Sequence, residues 1–291
     1  MTSGESVYTG RFAPSPTGPL HFGSLVAALA SFLDARHANG RWLLRIEDLD
    51  PPRESKAAPA IIMAQLKACE LHWDDDVLYQ SSRIEAFEEA LLRLDGLTYP
   101  CTCSRSSVSG VYSGRCRGNQ FEDTQAPYAI RIRTEEAVVT ISDRIAGQQT
   151  WHLERDVGDF IIKRRDGLFA YQLAVVVDDA FQGVTDVVRG NDLLDSTPKQ
   201  VYLRRCLGYP EVAYCHVPVI VDDRGQKFSK QNRAAPIASG QALPVLRKAL
   251  LALGQPTFPE VSTVPELVES AIKAWNPAAI PHTRNVRYAG L

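Results

Sequence analysis

The chain begins with a short apolar stretch, Val7 to Ala13, that predicts a strand, followed by Pro14-Ser15-Pro16-Thr17-Gly18-Pro19, too rich in proline to be regular. A helix is expected from His21 to Ala38, with Leu25, Leu29, Phe32 and Leu33 on one face and Gly40 as its stop. Arg41 to Ile46 reads as a second strand, so the start is strand, tight turn, helix, strand: a βαβ unit that opens a parallel sheet. Helices are predicted over Ala57–Leu71 and Ser82–Leu94, the second opening on a Ser82-x-x-Glu85 capping box. From Cys101 to about Asp159 the pattern changes to Ser, Gly, Gln and Arg with short β-like runs at Tyr128–Arg133 and Ala137–Ile141. The α/β pattern resumes at Phe160-Ile161-Ile162 and strengthens at Leu173 to Val177, and a helix follows Thr197-Pro198. Val217 to Val221 reads as a last buried strand, and Leu243–Leu253 and Pro265–Trp275 as a helical tail. The expected organisation is an α/β, Rossmann-like core in two parts, 1–98 and 160–232, around an α+β insert at 99–159, with a small helical region at 233–291.

Composition narrows this little. With 291 residues, 45% hydrophobic and 23% charged, the profile is that of a globular protein with a sizeable core. The first residues lack the basic start and apolar run of a signal peptide, and Leu25–Leu33 falls short of the roughly 20 residues a membrane crossing needs. A cytoplasmic protein with no membrane partner is the expectation. A net charge of −2 disfavours a generic polyanion binder but leaves room for a local basic strip. Lys163-Arg164-Arg165, Arg204-Arg205, Arg115 with Arg117, and Arg131 with Arg133 are such groups, each readable as a solvated surface feature.

Two short strings carry candidate chemistry. In Arg11-Phe-Ala-Pro-Ser15-Pro-Thr-Gly-Pro-Leu-His21-Phe-Gly23-Ser24 a strand and a proline–glycine turn deliver His21 and Gly23 to a helix N-terminus. Unpaired N–H groups there suit phosphate, Gly23 leaves room for a nucleotide, and an imidazole can bond phosphate oxygens as charge builds. Alone, His-x-Gly equally reads as a cap with a surface histidine. Downstream, Lys227-Phe-Ser229-Lys230-Gln231 follows a buried strand and places two cations around a serine, a pyrophosphate clamp or a solvated basic loop. A third string, Cys101-x-Cys103 with Tyr112-x-x-x-Cys116, groups three of the six cysteines. Thiols two residues apart bridge each other poorly but can grip one tetrahedral ion, so zinc and free thiols are the two readings.

Taken together, the first two strings resemble the paired signatures of class I aminoacyl-tRNA synthetases, in the right order and in an α/β context. Arg11 to Gly18 with Arg45-Ile46-Glu47-Asp48 resembles the glutamyl/glutaminyl branch of that family. Ser24 stands where the first signature has its second histidine, and Gln231 where the second has its last serine. The resemblance implies ATP with Mg²⁺ at His21, Gly23, Ser24, Lys227, Ser229 and Lys230, with His21, Lys227 and Lys230 carrying the catalysis. It implies an L-glutamate pocket in which Arg11 and Arg189 meet carboxylates, Glu47 holds the α-ammonium, and Ser15 and Tyr171 add polar contacts. From the residues alone, Arg11 with Glu47 also reads as a structural ion pair and Tyr171 as a core aromatic. The resemblance makes the cysteine site structural zinc bound by Cys101, Cys103, Cys116 and Tyr112, with water or Glu122 as the other candidate for the fourth donor.

The short stretch after Lys227 and the compact Cys/Tyr/Cys insert resemble the branch of the family that places glutamate on the queuosine base of tRNA(Asp). A monomeric ligase acting on that RNA is therefore expected. The competing expectation is a shortened conventional glutamyl-tRNA synthetase that charges the 3′ end of tRNA(Glu).

Overall fold

β1 (Thr9–Phe12), α1 (Phe22–His37) and β2 (Arg41–Ile46) form the expected unit, the strands parallel with Arg11 opposite Leu43. The computed structural model describes residues 7–104, 107–108, 110–121, 126–226 and 240–287. α1 ends with Asn39 at φ 53°, and the Gly40 N–H returns to the Ala35 carbonyl at 2.8 Å. A side chain at Gly40 would put its Cβ 2.4 Å from the Tyr8 carbonyl oxygen, so close approach requires glycine there.

After α2 (Ala58–Ala68), β3 (Asp74–Tyr79) adds a parallel strand outside β2. Its acidic start, Asp74-Asp75-Asp76, hid it from the hydrophobic pattern. α3 (Ile84–Arg93) starts later than predicted. The capping box does not form, because residues 80–83 make a 3₁₀ turn and the Ser82 hydroxyl donates to the Tyr79 carbonyl at 2.7 Å.

Four strands follow: β4 (Thr98–Cys101), β5 (Ala129–Ile132), β6 (Val138–Asp143) and β7 (Gly147–His152). Then come a short α4 (Leu153–Asp156), β8 (Phe160–Lys163), α5 (Tyr171–Phe181), β9 (Asp186–Gly190), α6 (Thr197–Cys206), β10 (Ala213–Val217) and β11 (Val219–Val221). The tail contributes α7 (Ala242–Ala252), α8 (Val264–Ala274) and β12 (Asn285–Arg287).

The strand pairings cross the expected insert boundary. The β6–β7 hairpin, inside 99–159, lies at the edge of the core sheet, where β6 is parallel to β10. β8, where the core pattern resumed, instead pairs antiparallel with β5, which also holds β4. The run Leu173 to Val177 is helical, within α5. The core sheet reads β3-β2-β1 on one side and β9-β10-β6-β7 on the other. They meet where the Thr185 N–H donates to the Thr9 carbonyl (2.9 Å) and the Thr9 N–H to Thr185 Oγ1 (2.9 Å). The strand progression reverses at that seam between β1 and β9, where open α/β sheets bind ligands beyond their carboxyl ends.

α1 is buried on more faces than the single stripe predicted: Val26, Ala28, Ala30 and Ala35 are buried as well as Leu25, Leu29, Phe32 and Leu33. The tail explains this, since Leu246, Leu250, Leu267, Ala271 and Trp275 join the same core cluster. Asp34 on α1 ties the layers, accepting from Tyr8 Oη (2.5 Å), Arg144 Nη2 (2.6 Å) and Trp275 Nε1 (2.9 Å). β12, absent from the helical expectation for the tail, pairs parallel with β11. Among the described residues no helix is long and apolar enough to cross a membrane.

Candidate active site and cysteine knuckle

A cleft of about 910 Å³ opens at the seam. β1 and the proline turn supply Arg11 and Ser15 to its wall, the start of α1 supplies His21, Gly23 and Ser24, β9 supplies Arg189, and the start of α5 supplies Tyr171. Seven residues singled out in the sequence thus share one cavity. Glu47 is not in its wall, and Lys227, Ser229 and Lys230 lie outside the described residues.

At the helix end, His21 is the N-cap of α1, and its Nδ1 accepts the Ser24 backbone N–H at 3.1 Å. With Nδ1 accepting, the neutral ring carries its proton on Nε2, which lies 2.9 Å from Ser24 Oγ. The serine in the place of the signature's second histidine therefore orients the first. α1 has no acidic residue in its first turn, so the positive end of the helix is left for an anion.

Arg11 does not pair with Glu47. Its Nε–H donates to Asp179 Oδ1 at 3.1 Å, and Arg45 reaches the same oxygen at 2.8 Å. Among the described residues the Arg11 side chain hydrogen-bonds through Nε alone, which leaves its terminal nitrogens for a ligand. Burial pushes the Asp179 carboxyl up, but the two guanidiniums hold it below the usual carboxylate range. Glu47, just past β2, lies 3.5 Å from Arg45 Nη2, and burial raises its carboxyl to about 7 against the pull of Arg45 and Arg11. Asp179 is the carboxylate that both Arg11 and Arg45 reach, and the Arg11 terminal nitrogens suit an incoming carboxylate.

Arg189 is 5% exposed and held on several sides. Its Nε–H donates to His216 Nε2 (3.0 Å), Nη1 to Gln200 Oε1 (2.7 Å) and Nη2 to Thr197 Oγ1 (2.9 Å). Longer contacts of 3.5 Å run from Nη1 to the Tyr171 hydroxyl and from Nη2 to the Leu193 carbonyl. Asp179, His216, Asp143 and Gln200 were not among the expected site residues, and Arg45 was expected only as part of the Arg45-Ile46-Glu47-Asp48 string. The Asp178-Asp179 pair ending an apolar helix, and one histidine inside Tyr214-Cys215-His216-Val217, were the available signals.

The second cluster lies in the antiparallel sheet region. The sulfurs of Cys101, Cys103 and Cys116 all lie within 4.8 Å of one another, and the Tyr112 hydroxyl is 3.5 Å from Cys101 and 3.7 Å from Cys103. Three sulfurs and an oxygen so grouped can hold a metal ion in a closed tetrahedral set. Arg131 Nε donates to Cys101 Sγ and Arg115 Nη2 to Cys103 Sγ, both at 3.2 Å, so two cations offset thiolate charge. Gly158 bridges to Tyr112 at φ 68°, and a Cβ there would meet the Tyr112 carbonyl at 2.5 Å. Glu122, the other candidate donor, lies outside the described residues. Cys69, Cys206 and Cys215 stand apart as free thiols.

The basic groups serve the fold more than the surface. Arg131 and Arg204 are buried, Lys163 pairs with Glu88 (2.7 Å), and Arg165 Nη2 caps the Thr102 carbonyl beside the cysteines.

Residues 7–253 match the family described as tRNA synthetases class I (E and Q), catalytic domain. A protein named glutamyl-Q tRNA(Asp) synthetase from Pseudomonas putida KT2440 is 51% identical, the alignment covering 100% of this chain and 99% of that one. A protein of the same name from Pseudomonas syringae pv. syringae is 52% identical over 96% of this chain and 97% of its own. In fold, the chain is similar to a glutamate tRNA ligase from Elizabethkingia meningosepticum, solved in complex with its amino acid. The TM-score is 0.82 at 22% identity, over 98% of this chain and 67% of that one. The chain belongs to the class I glutamyl- and glutaminyl-tRNA synthetase family of ligases, on the branch whose members are named glutamyl-Q tRNA(Asp) synthetase.

Proposed function

We propose that the cleft activates L-glutamate with ATP and passes the glutamyl group to the queuosine base of tRNA(Asp). The observation that carries the first half is the shared wall: a guanidinium with open nitrogens, Arg11, and a second guanidinium, Arg189, face the same cavity as the N-terminus of α1. Two carboxylates and a triphosphate are the ligands that such a wall suits. The RNA half rests on the names of the relatives, at about half identity over nearly the whole chain.

In this reading Arg11 meets the γ-carboxylate, with Arg189, Tyr171 and Ser15 completing the pocket. Glu47, ionised, faces the α-ammonium. The α-carboxylate is already an anion at neutral pH and attacks the α-phosphate in line, so no general base is needed and pyrophosphate leaves. His21 and the first N–H groups of α1 receive charge that builds on phosphate oxygens, and Gly23 keeps the approach open. Lys227, Ser229 and Lys230 are proposed to clamp the leaving pyrophosphate, and Mg²⁺ enters with ATP. A hydroxyl of the RNA then attacks the acyl carbon and AMP departs. Zinc is the proposed ion of the cysteine knuckle, held by Cys101, Cys103, Cys116 and Tyr112, with the structural task of shaping the RNA-facing region. The enzyme is proposed to act as a cytoplasmic monomer. The four-part scheme (1–98, 99–159, 160–232, 233–291) stays a working division, with β6–β7 and β8 exchanged between the sheets.

The test is incubation of labelled glutamate and ATP with purified tRNA(Asp), with and without queuosine, and separately with tRNA(Glu), followed by mapping of the labelled nucleotide. Label on the queuosine nucleotide alone supports the proposal. Label at the 3′ end of tRNA(Glu) would replace it with conventional charging.

A further inference from the structure

We infer that His216, fixed by Asp143, is a positioning residue that aims the Arg189 guanidinium into the cleft. The inference rests on the reading of that cleft as a carboxylate pocket. Three adjacent strands, β6, β10 and β9, carry the three residues in a row. Asp143 ends β6, and His216 and Arg189 are direct cross-strand partners in the β10–β9 pairing.

The hydrogen bonds set the direction of the row. Asp143 Oδ1 accepts the backbone N–H groups of Ile145 (2.9 Å), Ala146 (2.8 Å) and His216 (3.2 Å), so the carboxylate is locked before it meets the ring. Its Oδ2 lies 2.6 Å from His216 Nδ1. Burial raises the Asp143 carboxyl, but the His216 bond and the backbone donors bring it down to about 2, so it is an anion that can only accept. Nδ1 must therefore carry the proton. Nε2 then meets the Arg189 Nε–H as a bare acceptor, and burial with the neighbouring Arg189 charge pushes the imidazole down against the pull of Asp143. A bare Nε2 is what an arginine Nε–H requires, and the two lie 3.0 Å apart. The other tautomer or the imidazolium would point a proton at a cation.

The consequence is a fixed orientation. With Nε on His216, Nη1 on Gln200 and Nη2 on Thr197, the guanidinium plane has no rotational freedom left. The donors that remain are those in the two 3.5 Å contacts, to Tyr171 Oη and the Leu193 carbonyl. These loose contacts are the ones a substrate carboxylate displaces. Asp143 and His216 are 3% and 0% exposed and are absent from the cleft wall, so neither touches substrate: they act through Arg189.

Two measurements test this. Long-range ¹H–¹⁵N spectra of the ¹⁵N-histidine-labelled wild type report the tautomer of each of the six histidines, with His216 assigned by its loss in His216→Gln. The inference requires His216 to be neutral with the proton on Nδ1 at pH 7.5; a proton on Nε2 overturns it, whatever the cleft binds. The second is ATP–pyrophosphate exchange as glutamate and ATP are varied separately, with thermal melts as a folding control. His216→Gln keeps an acceptor oxygen near the Nε2 position and should leave the glutamate KM within about threefold, whereas His216→Asn loses it and should raise that KM by roughly tenfold or more. The ATP KM should stay within about twofold for both, since Arg189 and not the helix end is disturbed. A folded His216→Asn protein with an unchanged glutamate KM would overturn the inference while leaving glutamate activation intact. A wild type with no glutamate-dependent exchange would instead condemn the reading of the cleft, and the tautomer would still decide the row.

Discussion

The cleft and the cysteine knuckle are built in opposite ways. The knuckle draws its donors from residues 101 to 116 and closes on itself, with sulfurs and hydroxyl facing one another and two arginines turned toward the sulfurs. The cleft draws on β1, α1, α5 and β9, and its arginines line an open cavity while their partners, Asp179 for Arg11 and the neutral His216 for Arg189, are absent from its wall. Local chemistry stabilises a structure in the first case. In the second, the fold holds charge away from its natural partner until a ligand arrives. The difference teaches where to look for function: a cluster closed on itself suits a structural role, and one that opens on a cavity suits a ligand.

The largest effect is expected at the knuckle. Cys103→Ser or Cys116→Ser should lower zinc affinity by about 10²–10³-fold, taking one of four ligands as roughly a quarter of the binding energy of a structural site. Glutamate activation should change far less than transfer to RNA. Metal analysis after dialysis against graded chelator checks the first half, and exchange set against transfer rates the second. Arg11→Ala comes next, with the glutamate requirement in ATP–pyrophosphate exchange rising at least ~100-fold, because Asp179 loses a partner and the ligand loses its open fork.

A third test sharpens the cleft side through pH. Burial raises Glu47 to about 7, so its ionised fraction grows about tenfold from pH 6 to pH 8. If the anion holds the α-ammonium, glutamate affinity should rise by about that factor with increasing pH, and Glu47→Gln should flatten the profile. For stability the sign is opposite. A carboxyl raised in the folded state binds protons there that the unfolded chain has lost, so the contribution of Glu47 declines as pH climbs from the ordinary glutamate value toward 7. Equilibrium glutamate titrations and melts across this range check both signs. The smallest effect belongs to Ser24→Ala, which removes one hydroxyl from the His21 ring but keeps the backbone N–H to Nδ1; the ATP KM should change by no more than about threefold.

How much of this was legible in the chain follows the same division. The β1–turn–α1–β2 unit, the cysteine group and five of the cleft residues lie in short strings, whereas Tyr171 and Arg189 were expected only through the family resemblance; the structure brings each set together. What lay behind them was hidden. Asp179 meets Arg11 across 168 positions, and His216 reaches Asp143 across 73, separations that no periodicity records. Strand alternation marks Phe160–Ile162 as a strand but cannot say which sheet receives it, and β8 joined β4 and β5. α1 read as amphipathic because its second buried side depends on tail helices more than 200 residues away. The capping box failed for a local reason: the 3₁₀ turn over 80–83 spent the Ser82 hydroxyl on Tyr79.

The central claim is that one wall sorts an acidic amino acid beside a triphosphate. It is met most directly by isotope exchange between ATP and pyrophosphate in the wild-type protein with glutamate, glutamine, aspartate or no amino acid. Exchange should depend on glutamate and be weak with the other two. Exchange that is absent with glutamate, or as fast with glutamine, would contradict it.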